Sequence, residues 1–162
     1  MKGKIARTTL MIISVVTLCM GLASAAHAAE KCSNAKAAGQ WGFTLTGTLL
    51  LPTGPVPGAA VGRVRIDADG NVSGTEATNV GGGFVNQTIT GSLTVNSDCT
   101  ANLTANIYES GNLVLISVED IVFVDNSSRF RAVQESLTQP DGTAIPVVIT
   151  VEGIRLFPEE GD

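Results

Sequence analysis

From residue 40 onward, apolar and polar side chains alternate with a period of two, and turn-forming stretches interrupt the pattern every ten to fifteen residues. That pattern belongs to half-buried strands joined by tight turns, and no helical period competes with it. "QWGFTLTGTLLL" (40 to 51) puts Trp41, Phe43, Leu45 and Leu49 on one face and threonines on the other. "LPTGPVPGA" (51 to 59) reads as a loop from its proline and glycine content. "AAVGRVRID" (59 to 67) then sends Val64 and Ile66 one way and Arg63 and Arg65 the other.

"ADGN" (68 to 71) is a tight-turn signal leading into "NVSGTEATN" (71 to 79). "GGG" (81 to 83) precedes a long strand at 84 to 96, and a hairpin around Asn96-Ser97-Asp98 sets Cys99, Ala101, Leu103, Ala105 and Ile107 on one face. "ESGN" (109 to 112) and "DNSS" (125 to 128) bracket "LVLISVEDIVFV", and "RFRAVQESL" (129 to 137) and "AIPVVITVEGIRLF" (144 to 157) follow. Eight strands in hairpin succession, with no helix long enough for a parallel crossover, predict an all-β, antiparallel up-and-down barrel. A two-sheet β-sandwich is the alternative. The runs 113 to 124 and 144 to 157 are apolar on both faces, so an N-terminal segment or a second copy, in a homo-oligomer, is expected to cover them.

The first 29 residues change what chemistry the rest can do. Lys2, Lys4 and Arg7 precede the uncharged run "TTLMIISVVTLCMGLA", and "ASAAHAAE" supplies small residues at a peptidase site, so 1–29 read as a signal peptide and 30–162 as the barrel domain. Secretion or a periplasmic location follows, with no membrane span retained after cleavage. Cleavage also removes His27, the only histidine, so Ser-His-Asp, Cys-His and His-ligated zinc chemistry are excluded from the mature chain. Seven basic residues then face fifteen acidic ones, a net charge of −8 with no basic stripe, which argues against nucleic acid.

Cys32 and Cys99 are the two cysteines left, and an even count in an exported chain reads as a disulfide. Two thiolates without histidines or a CxxC do not make a metal site, and no base is left to activate a thiol. "DADGN" (67 to 71) has carboxylates at calcium-loop spacing but no later bidentate Glu, so it reads as a turn. No cofactor is implied.

"CSNAKAAGQWGFTLTGTL", "VGRVRIDADGNVSG" and "GSLTVNSDCTANLT" together resemble a group of small secreted bacterial proteins, mostly uncharacterised. Their barrels are similar in kind to lipocalin and allene-oxide-cyclase-type barrels. The resemblance implies an exported barrel and carries no catalytic motif.

A closed barrel of about eight strands either fills its bore or holds one small ligand, so polar residues sharing parity with the interior are the candidates. Glu76 alternates with Val72 and Gly74, Gln134 with Phe130 and Ala132, and Arg155 with Ile149 and Val151. With Trp41 they form the candidate ligand-binding set, Glu76 facing Arg155 or Gln134 as a structural pair or as the polar end of a pocket. Adjacent Glu119 and Asp120 point to opposite faces and do not form a carboxylate pair. The expectation is a non-catalytic protein binding a small apolar ligand. The alternatives are a cofactor-free cyclase or isomerase using Glu76, in line with the allene-oxide-cyclase likeness, and a structural cell-surface module.

Overall fold

The computed structural model describes residues 31–157. The signal-peptide reading of 1–29 lies outside the described residues. Eight strands follow a short helix α1 (Asn34–Ala37): β1 (Gly39–Leu51), β2 (Gly54–Ile66), β3 (Asn71–Val80), β4 (Gly83–Val95), β5 (Thr100–Glu109), β6 (Asn112–Val124), β7 (Arg129–Thr138) and β8 (Val147–Phe157). Each pairs antiparallel with its sequence neighbour, and β1 also pairs with β8 from Gln40↔Phe157 to Leu49↔Val147, which closes the barrel. Closure removes both sheet edges and excludes the sandwich.

The segment expected to be a loop at 51–59 is strand from Gly54 onward, and only Pro52 and Thr53 turn the chain. Pro55 and Pro57 are tolerated because of where their missing N–H groups would point. The Pro57 carbonyl accepts from Gly81 N–H at 2.9 Å, so this edge of β2 faces β3, and β3 ends at Val80 opposite Gly58. No bond of the β1 ladder is lost, which is the edge-like setting proline requires.

Aromatic side chains fill the bore beside glycines. Phe43 lies opposite Gly62 and Phe130 opposite Gly153. A Cβ on Gly62 would run into the Phe43 ring, and one on Gly153 into the Phe130 ring. Any larger residue at either position would displace the ring.

The N-terminal segment covers one end of the barrel rather than its flank. Ser33 caps α1, accepting from Lys36 N–H at 3.2 Å, and the Cys32–Cys99 disulfide ties the segment to the β4–β5 turn. A closed loop of 67 residues' separation contributes roughly 4 kcal/mol by the chain-entropy relation. The Asn34 side chain accepts from Val95 N–H at 2.8 Å and donates to the Asp69 carbonyl at 3.1 Å, joining α1 to the end of β4 and to the β2–β3 turn. Beneath it Trp41 is fully buried, donating from Nε1 to the Ala37 carbonyl at 2.9 Å. The rings of Phe123 and Phe130 pack on it at 5.6 and 5.5 Å. Val122, Val133, Val148 and Ile154 stay exposed on the outer wall, so the cover expected over these strands is not supplied by the N-terminal segment.

Trp41 carries the packing of this closed end. Trp41→Ala is expected to lower stability by about 3–5 kcal/mol in urea unfolding, and a change below ~1 kcal/mol would show that the end is not packed as described.

Candidate functional site

Above the Trp41 cluster the interior does not fill. A cavity of about 130 Å³ runs along the bore, lined by all eight strands, comparable with the engineered cavity of about 150 Å³ that holds benzene. Its wall is mainly Leu, Ile, Val and Ala, with Phe43, Phe123 and Phe130 among the lining rings. The polar exceptions are Glu76, Thr78, Gln87, Ser117, Glu119 and Gln134.

Strand register arranges four of these as two similar pairs. Glu76 on β3 is directly opposite Gln87 on β4, and Glu119 on β6 is directly opposite Gln134 on β7. In the order of strands around the barrel, the two pairs are separated by β5 on one side and by β8, β1 and β2 on the other. A β-bulge brings the second pair into line. Val118 pairs with Ser136 and Glu119 with Gln134, leaving Glu135 as the extra residue. β7 pairs with β8 only from Arg129↔Ile154 to Val133↔Thr150, so beyond Val133 the cavity-lining Gln134 and Leu137 are laddered to β6 alone.

The four side chains differ in how they are satisfied. Gln87 accepts from the Thr78 hydroxyl at 3.1 Å, and Gln134 donates to the Ser136 carbonyl at 3.2 Å. Ser117 donates to Glu119 at 3.4 Å, a long bond. Glu76, only 8% exposed, meets no hydrogen-bond donor among the described residues. Burial pushes its pKa up to about 7, and the nearby Glu119 charge adds to the shift. Burial likewise pushes Glu119 up to about 7, opposed by the Ser117 hydroxyl. Desolvation thus raises both carboxyls, and the Glu119 charge acts in addition on Glu76.

Of the residues singled out from the sequence, Glu76 and Gln134 line the cavity, whereas Trp41 and Arg155 do not. Arg155 points inward one layer too low. A register shift between Gln40 and Trp41 sets it beside Trp41, its guanidinium 4.8 Å from the ring centroid. There it donates to the carbonyls of Lys36, Ala38 and Ser127, and so holds the end of α1 instead of pairing with Glu76. Glu119 and Gln87 were not picked out. Parity carried a signal for both, since Glu119 shares a face with Ile121 and Phe123, and Gln87 with Ile89 and Leu93. Asp120 does point outward, to Asn102, so the adjacent acids are not a pair and the partner of Glu119 lies across the bore. No group of three or more metal-ligating side chains is found among the described residues.

No protein-family model and no curated protein matches the chain. Solved structures similar in fold include two barrels with a bound small molecule. One is a redesigned β-barrel, mFAP1, bound to DFHBI, 18% identical, covering 75% of this chain and 99% of that one at a TM-score of 0.48. The other is EF1p2_mFAP2b bound to DFHBI, 15% identical, covering 75% and 98% at a TM-score of 0.53. At such identities the likeness speaks to the closed antiparallel barrel alone.

The raised carboxyl pKa values fix the sign of a pH dependence. Each acid binds its proton more tightly folded than unfolded, so its stabilising contribution is complete below the ordinary value of 4.5 and is lost as pH rises through about 7. For one such carboxyl the loss is on the order of 3 kcal/mol. Urea midpoints should therefore fall between pH 4.5 and 7.5 in the native chain and stay flatter in Glu76→Gln/Glu119→Gln, and parallel profiles would refute the assignment.

Proposed function

We propose that the protein is an exported, non-catalytic binding barrel that holds one small, largely apolar molecule in its bore. The observation that carries this reading is the unfilled cavity of about 130 Å³, apolar on most of its wall and open to few polar groups. An apolar pocket with a small number of placed polar groups is the usual form of a small-molecule site. That EF1p2_mFAP2b, a barrel of the same fold, is solved with DFHBI bound adds support. Export is supported by the Cys32–Cys99 disulfide, which persists in oxidising compartments. It is also compatible with the lack, among the described residues, of any helix long and apolar enough to cross a membrane.

One observation favours a second reading, a cofactor-free isomerase. Carboxyls with pKa values near 7 are suited to proton transfer at neutral pH. Native mass spectrometry of the protein recovered from its own host separates the readings. The binding reading predicts a chain beginning at residue 29 or 30 that carries one small molecule and returns it unchanged when incubated with it. Release of an isomer of equal mass and altered chromatographic retention would favour catalysis, and a barrel with no bound molecule at any stage would contradict both.

A further inference from the structure

A ligand that is merely apolar would leave the most unusual feature of the cavity unused. Among its lining residues the ionisable side chains are Glu76 from β3 and Glu119 from β6, and β1, β2, β4, β5, β7 and β8 contribute none. Arg155, whose side chain the sequence parity assigns to the same face, is occupied at the closed end by three backbone carbonyls. Glu76 is more than nine-tenths buried and lines the cavity without a hydrogen-bond donor among the described residues. Its carboxyl oxygens stay accessible from the cavity, so a donor held in the bore can reach them without displacing any bond of the barrel wall.

The two amides extend the same argument. Gln87 commits its oxygen to Thr78, and Gln134 commits an N–H to the Ser136 carbonyl. Neither amide is hydrogen-bonded to the glutamate it faces across the ladder. What the cavity lacks is a multivalent hydrogen-bond donor with positive charge, placed where both carboxyls reach it.

Resting on the reading of the cavity as a ligand site, we infer that its ligand is a compact apolar molecule bearing one ammonium or amidinium group, which sits between Glu76 and Glu119. The apolar body occupies the ring-lined lower bore against Phe43, Phe123 and Phe130. An ammonium donates three hydrogen bonds and an amidinium presents a planar fork, so either can serve two carboxylates at once. In the empty barrel, near neutral pH, the carboxyls are partly protonated. Entry of the cation releases a carboxyl proton to the buffer, and charge in the bore stays balanced. Affinity accordingly rises with pH through the acid range.

The test is titration calorimetry of the whole mature protein with benzylamine, benzyl alcohol, toluene and benzoate at pH 5.5 and pH 8, in two buffers of different ionisation heat. Benzylamine should bind at least tenfold more tightly than the other three at pH 8. It should weaken by roughly tenfold or more at pH 5.5, and near neutral pH it should show a buffer-dependent heat of proton release. Glu76→Gln/Glu119→Gln removes buried charge and so is expected to fold. It should lose the preference for benzylamine while holding toluene as the native chain does. If toluene or benzoate binds as tightly as benzylamine at pH 8, the cationic assignment is overturned while the binding barrel stands. If none of the four binds, both fall.

Discussion

Closure of the sheet through β1 and β8 is the constraint on which the rest of this protein depends. A closed eight-stranded sheet has no edge to protect, but its inward residues must fill a bore of fixed width or leave it open. Here the bore is divided. One end is filled by Trp41, Phe123 and Phe130 over a cover made by α1, while the rest is lined by smaller aliphatic side chains that do not meet across it. The glycines opposite Phe43 and Phe130 show how closely the filled part is fitted.

The closed end also explains why the N-terminal segment is tied down so heavily. A four-residue helix has no stability of its own in water. It is held by a disulfide, by Asn34 bridging the end of β4 and the β2–β3 turn, by the Trp41 indole and by the Arg155 guanidinium on its last carbonyls. Cys99 is thus an anchor. Neither sulfur of this pair is available for chemistry.

Much of the fold was legible in the residues. Alternation placed Val64, Ile66 and Val72 inside, and turns such as Asp67–Asn71 fell where the chain reverses. The first half of β2 was not, because proline and glycine at 54–58 look like a loop unless one knows that β3 ends before reaching them. The site was legible in part. Parity identifies which face a residue takes but not its height along the bore, and height is what separates Glu76 from Arg155 and Trp41. Glu119 was obscured by the charged neighbour Asp120 and by a bulge in the opposing strand, and a bulge leaves no mark in a single sequence.

The central claim is that burial in a mainly apolar bore raises two carboxyls, Glu76 and Glu119, with no cationic side chain among the described residues that line it. It is tested most directly by carbon-13 NMR titration of the glutamate side-chain carboxyls, assigned with Glu76→Gln and Glu119→Gln. The structure predicts two resonances that titrate near 7, with removal of Glu119 lowering the midpoint of Glu76. Ordinary midpoints near 4.5 for both, independent of each other, would contradict it.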